Sequence, residues 1–290
     1  MFSRSFLALL IAASLALCGC GMFTHHKKEA KDDAPVASSD ELFDKGVKLL
    51  KAGKYKQSRE AFGELDATYP YSSISARGSL LSSYAAYSDG DYDGAAATLD
   101  SFVKLHPAHK DVAYAYYLKA LSYYDRIADI GRDQSVTAEA RQALLDVIRR
   151  FPDGEYARDA KLKLDLVQDH LAGKEVAVGR FYQKQLKPAA AVNRFTTVLK
   201  KYQTTAHVQE ALYRLTETYY SIGVLDEAQK YAALLGYNYP KSRWYGYAYR
   251  LMKGKTPSLS GGALRSEENA PIEKGEAIMP EEIKNGVGEF

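Results

Sequence analysis

A chain of 290 residues with 39 lysines and arginines against 36 aspartates and glutamates is nearly neutral, at a formal charge of +3. With both signs interspersed, that balance gives no electrostatic case for nucleic acid as a partner. The only two cysteines, Cys18 and Cys20, stand at the N-terminus, so a disulfide framework is excluded if that segment is processed, and the core must form by burial alone.

In chain order, one positive charge, Arg4, precedes an apolar run from Phe6 to Leu17. That length fits a signal-peptide core of roughly 7–15 residues and is too short for a spanning helix of about 20. The run closes on Leu17-Cys18-Gly19-Cys20. A large aliphatic residue, a small residue and then a cysteine resemble a bacterial lipobox, in which the thiol is alkylated by a diacylglycerol and the chain is cut just before it. The thiol is the side chain nucleophilic enough for that thioether. Cys20 has Gly19 at the cut, whereas Cys18 would need cleavage after bulky Leu17, so residues 1–19 read as signal and Cys20 as lipid acceptor. A plain secretory signal with incidental cysteines is the alternative. Residues 20–39 are polar and uneven and read as a flexible tether. His25-His26 lies there without a Cys, Asp or Glu constellation at ligand spacing, so no metal site is expected.

The globular part, residues 40–253, contains an internal repeat. Segments starting at Tyr55, Tyr92, Thr137, Pro188 and Leu225 close on Tyr69-Pro70, His106-Pro107, Phe151-Pro152, Lys201-Tyr202 (in a copy running to Gln203) and Tyr239-Pro240. Their fourth positions are Ser58, Ala95, Ala140, Ala191 and Ala228; their eighth, Phe62, Leu99, Leu144, Phe195 and Ala232; their eleventh, Leu65, Phe102, Val147, Val198 and Leu235. Small, large and large residues at those offsets fall on one face of an α-helix, and the closing proline is expected to end it. A further helix precedes each copy: Asp40–Ala52 after Ser38-Ser39 as N-cap candidates, Ser75–Ser88, Asp111–Arg126, a long helix from Tyr156 towards Gln185 with a bend near Ala172-Gly173, and Thr205–Ile222. An insertion around Ile127–Ser135 lengthens the third unit. Helix pairs at this period point to an all-α, tetratricopeptide-repeat-like superhelical solenoid of five pairs. A last helix, Ser242–Met252, would cap the stack. Residues 254–290, rich in Gly, Pro and Glu, read as a disordered acidic tail.

Local strings on this frame resemble the BamD/ComL family, lipoproteins of the outer-membrane β-barrel assembly machinery. They are Thr68-Tyr69-Pro70-Tyr71-Ser72, His106-Pro107, Ala113-Tyr114-Ala115-Tyr116-Tyr117, Asp129-Ile130-Gly131-Arg132-Asp133-Gln134, Arg150-Phe151-Pro152, Glu155-Tyr156 and Asn193-Arg194. The resemblance implies a non-catalytic scaffold with no cofactor beyond the diacylglycerol and N-acyl chains on Cys20. It implies attachment to the periplasmic face of the outer membrane, consistent with Gly21 rather than aspartate after Cys20. It also implies binding of the barrel subunit BamA through the C-terminal repeats, beside other subunits of the complex, and of unfolded outer-membrane proteins through the N-terminal repeats.

Carried onto this sequence, the BamA contact falls on Arg194, Asn193 and Tyr182; a guanidinium suits such a site because it pairs bidentately with carboxylate. An ordinary solvated arginine is the alternative, and Gln185-Leu186 departs from the Arg-Gly expected in some members. Tyr69, Tyr71, Tyr84 and Tyr87 could line a groove for the apolar end of an unfolded barrel protein; tyrosines at these spacings also serve as core. A periplasmic repeat protein coordinating peptidoglycan synthesis or cell division is the competing reading, although the repeats here begin close behind Cys20. An enzyme is poorly supported: no nucleophile motif, phosphate loop or zinc ligand set is present.

Overall fold

The computed structural model describes residues 37–254; the signal segment, Cys20, most of the tether and the acidic tail lie outside the described residues. Within them the chain is all-α, with eleven helices and no strand. In order these are α1 (Ser39–Lys51), α2 (Tyr55–Thr68), α3 (Ser73–Ser88), α4 (Tyr92–Leu105), α5 (Val112–Tyr124), α6 (Ser135–Arg150), α7 (Glu155–Lys184), α8 (Pro188–Lys201), α9 (His207–Ser221), α10 (Leu225–Asn238) and α11 (Arg243–Met252).

Consecutive helices pack as five antiparallel pairs, and α11 closes the end against α9 and α10. The first helices of successive pairs also touch (α1 on α3, α3 on α5, α5 on α7, α7 on α9, α9 on α11), whereas among the described helices the second ones contact only sequence neighbours. The odd-numbered helices therefore form one continuous layer and the even-numbered helices a second.

The repeat pattern explains that burial. All five fourth-position residues and all five eleventh-position residues are buried, as are Phe62, Leu99, Leu144, Phe195 and Ala232 at the eighth. A small residue at the fourth position lets the paired helix approach, and the large residues fill the seam behind it.

Helix ends are as regular. Tyr69, His106, Phe151, Tyr202 and Tyr239 each stand at the C-terminal cap with φ between −126° and −135° and ψ between 45° and 58°, and each donates its N–H to the carbonyl of the eleventh-position residue. Tyr202 adopts this geometry before Gln203 rather than proline. Proline is therefore not what stops these helices; the aromatic cap and the turn into the next pair do so, and proline follows where its missing N–H costs nothing.

Boundaries shift by a few residues from expectation. The third unit's second helix starts at Ser135 rather than Thr137, and α3 begins at Ser73 because Ser72 caps it, its Oγ accepting from the N–H groups of Ile74 and Ser75. The long helix runs uninterrupted through Ala172-Gly173 as one element. Gly173 is there because His207 packs on it: a Cβ would lie 3.1 Å from His207 Nε2. The turns within the first, second and fifth pairs use glycine at positive φ, namely Gly53, Gly90 and Gly223, but in the fourth pair the position belongs to Leu186, at φ 55°.

Candidate partner-binding surfaces

The layer of first helices carries tyrosine–carboxylate ties between repeats. On α3, Tyr87 donates its hydroxyl to Asp125 at the end of α5. On α5, Tyr117 donates to Asp159 of α7 at 2.6 Å, and Lys163 holds the same carboxylate at 2.9 Å. Tyr117 stacks on Tyr156 with ring centroids 4.8 Å apart, and Tyr114 lies against the same ring at 5.7 Å. Burial raises the pKa of the Tyr87 and Tyr117 phenols, and their carboxylate partners raise it further. Both hydroxyls are therefore firm hydrogen-bond donors, suited to fixing neighbouring repeats rather than to proton transfer.

This geometry divides the four tyrosines expected to receive substrate. Tyr69 is the half-buried cap of α2, and Tyr71, in the connection to α3, is 100 % exposed. Tyr84 and Tyr87 lie half-buried near the other end of α3, about 20 Å away at 1.5 Å per residue. Tyr87 is further engaged, edge-on to Tyr92 at 5.5 Å. Tyr71 is the member with its whole ring available, whereas Tyr87 serves the tie to Asp125.

In the fourth pair, Arg194 projects from α8 and pairs with Glu175 of α7 at 3.2 Å, its side chain still 44 % exposed. Asn193 beside it is exposed. Tyr182 lies roughly two helical turns further along α7 than Glu175, about 10 Å, half-buried against the C-terminal core and edge-on to Phe181 at 5.8 Å. Arg194 and Asn193 thus share an exposed position on α8, while Tyr182 lies about two turns away along α7, near the turn between the two helices.

Sequence reasoning missed a charged network beside this region. Arg214 of α9 is buried between Glu210 and Glu217, with Nε 3.1 Å from Glu210 and a terminal nitrogen 2.9 Å from Glu217. Its guanidinium also lies 5.7 Å from the Trp244 ring centroid. Arg180 reaches Glu210 at 3.4 Å, and Gln183 donates to Glu217 at 3.2 Å and Thr218 at 2.7 Å. Burial disfavours the Arg214 cation, yet Glu217 and Glu210 outweigh it and raise its pKa. Burial lowers that of Arg180, against the pull of Glu210. The signal was the spacing of Glu210, Arg214 and Glu217 on one helix face, which ordinarily marks a solvated face. Above this network opens a cavity of about 510 Å³, walled by Leu186, Pro188 and Ile222 with Arg180, Arg214 and Glu217 among its lining. Among the described residues no cluster of His, Cys, Asp or Glu could hold a metal ion, and no helix is long and apolar enough to cross a membrane.

Residues 35–234 match the model of a family described as YfiO, outer membrane lipoprotein. The chain belongs to that family. Among its relatives are proteins named outer membrane protein assembly factor BamD. That of Rickettsia prowazekii is 48 % identical over 248 residues, covering 85 % of this chain and 96 % of the relative. That of Caulobacter vibrioides is 42 % identical over 264 residues, covering 89 % and 85 % respectively. That of Neisseria meningitidis serogroup A is 30 % identical over 252 residues, covering 83 % and 94 %. The YfiO match spans α1 to α9 whole and most of α10, so both candidate surfaces fall within it.

Proposed function

We propose that this YfiO-family chain is a non-catalytic, lipid-anchored scaffold of outer-membrane β-barrel assembly. Cys20 carries a diacylglycerol and an N-acyl chain that hold the protein at the periplasmic face of the outer membrane. The N-terminal pairs receive unfolded outer-membrane proteins, with Tyr71 as the most accessible aromatic. The C-terminal pairs bind BamA through Arg194, Asn193 and Tyr182, in company with other subunits of the complex.

The observation that carries this reading is the family membership over the repeat region, together with relatives named as assembly factors along nearly their whole length. The fold supports it physically. Stacked helix pairs fix an extended surface whose shape is set by neighbouring repeats, so a peptide lying along it sums many modest contacts. The part-buried hydroxyl–carboxylate ties of Tyr87 and Tyr117 favour a fixed scaffold over a catalytic pocket.

The test is purification of the native protein from membranes under mild detergent, followed by identification of what accompanies it. BamA is expected among the partners. Recovery of a peptidoglycan synthase or cell-division complex without BamA would overturn the proposal in favour of the competing periplasmic role. For the anchor, Cys20→Ser is expected to move the protein from the membrane to the soluble periplasmic fraction, because lipid burial contributes about 0.8 kcal/mol per CH₂ and is lost entirely.

A further inference from the structure

The turns joining the two helices of each pair line one edge of the stack, and their chemistry changes along it. In the first two pairs they read Ala52-Gly53-Lys54 and Asp89-Gly90-Asp91; in the last two, Gln185-Leu186-Lys187 and Ile222-Gly223-Val224. The apolar residues there face solvent. Leu186 is 88 % exposed, and Ile222, Val224 and Leu225 are exposed as well. Leu186 holds its side chain out from a backbone at φ 55°, a conformation that the turns of the first, second and fifth pairs reach with glycine. Strained backbone positions cluster at functional sites, which makes the exposed Leu186 side chain a candidate contact. Leu186 and Ile222 form walls of the cavity of about 510 Å³ over the Arg214 network, whose lining also includes Arg180, Arg214 and Lys184 with Glu217, while Glu210 pairs with Arg180 and Arg214, so the three cations outnumber the two carboxylates by one.

The chain itself supplies a segment that fits. Helix α11 is built as the first helix of a sixth pair. Like α3 it follows a Tyr-Pro turn and is capped by a serine, Ser242, and it ends at Gly254 with φ 72°, as α1 ends at Gly53 and α3 at Gly90. The first helices run parallel: Asp169, Arg180 and Gln183 of α7 meet His207, Glu210 and Thr218 of α9 in ascending order. The chain therefore leaves α11 at the edge that carries Leu186 and Ile222. Two interaxial steps, about 20 Å, separate α11 from α7. The 36 residues from Lys255 to Phe290 follow, with seven glutamates against three lysines and one arginine. Apolar residues gather in Glu276-Ala277-Ile278-Met279-Pro280-Glu281-Glu282-Ile283. Twenty-four residues separate Gly254 from Ile278, and a coil of that length has in general a root-mean-square span of about 27 Å, enough to bring Ile278 to the cavity.

We propose that the C-terminal tail docks in cis on this edge, with Ile278 and Met279 in the Leu186–Ile222 cavity and the flanking glutamates facing Lys184. Tethering at such a separation gives a local concentration on the order of millimolar, so a contact too weak to form between separate molecules is occupied within one. The chain makes this contact with itself, so it does not depend on the partner reading above.

The test places a benzophenone side chain at position 279 of the full-length protein, in place of methionine, and maps its photo-crosslinks by mass spectrometry. Crosslinks within one chain to residues 180–188 and 214–222 are expected. Leu186→Gly combined with Ile222→Ser should reduce their yield about tenfold, the change that accompanies a loss of 1.4 kcal/mol. Ile278→Glu, which leaves the helices untouched, should do the same and guards against an unfolded cavity variant. An absence of intrachain crosslinks at this edge, yields unaffected by either substitution, or crosslinks only between two copies would each overturn the proposal.

Discussion

Leu186 is the residue at which local rules and structure part company. A left-handed backbone costs an L-residue roughly 1–2 kcal/mol, while glycine forfeits about 0.5–1 kcal/mol of unfolded-chain entropy. Leu186→Gly is therefore expected to stabilise the fold by up to about 1 kcal/mol, a rise in Tm of about 2–4 °C for a chain of this size. A lower Tm by calorimetry would show that the leucine contributes packing that its exposure conceals. Arg194 lies at the opposite extreme, a half-exposed member of an ion pair with Glu175. Such a pair contributes about 0–1 kcal/mol, and the new repulsion with Glu175 costs a similar amount, so Arg194→Glu should lower the Tm by a few degrees at most. If Arg194 faces BamA, the same substitution sets a carboxylate against the partner and should abolish co-purification. Unaltered recovery of BamA would remove Arg194 from the interface without touching the fold.

At the scale of the element, the repeat couples sizes across the seam of each pair. Phe62 lies against Gly46, where a Cβ would come within 2.5 Å of its ring, and Phe195 likewise lies against Gly179. Ser83 and Thr216 hold the equivalent register in the second and fifth pairs, and their eighth-position counterparts are Leu99 and Ala232. Glycine thus goes with phenylalanine, serine with leucine and threonine with alanine. Gly179→Ser should overpack the seam and cost about 1–3 kcal/mol, and Phe195→Leu should leave a void costing on the order of 1 kcal/mol. The double variant recreates the Ser83–Leu99 arrangement, so urea midpoints should show it more stable than the sum of the two by at least about 0.5 kcal/mol. Additive losses would mean that the reciprocal sizes are coincidental. Much of this layer was legible in the sequence, because fixed spacing put Ala95, Leu99 and Phe102 and their equivalents on one face. The first helices were less so: α5 is apolar around most of its circumference and gives no single stripe. The Arg214 network was hidden because charges at helical spacing ordinarily face water, and Leu186 because no glycine marks its turn. Of the tyrosines proposed for substrate, periodicity could not separate exposed Tyr71 from Tyr87, whose role depends on Asp125 a whole pair away.

For the whole molecule, contact confined to neighbouring pairs makes stability a property of position along the stack. Among the described residues an interior pair is held from both sides, whereas α11 is held by α9 and α10 alone. Its grip is aromatic: Trp244 stacks on Tyr213 at 5.4 Å and lies edge-on to Tyr247 at 5.7 Å, with Arg214 over its face. Because Trp244 is the only tryptophan in the chain, its fluorescence reports this end alone, while far-UV circular dichroism reports all the helices together. In urea the fluorescence transition is expected at a lower midpoint than the loss of helicity, as the terminal helix opens before the interior pairs. Coincident transitions would show that the ties of Tyr87 to Asp125, Tyr117 to Asp159 and Gln183 to Thr218 make the stack one cooperative unit. A stack that loosens at its C-terminal end would make its last pairs the adaptable part, next to the surface proposed for BamA, while the Tyr117–Asp159 tie holds the middle of the scaffold fixed.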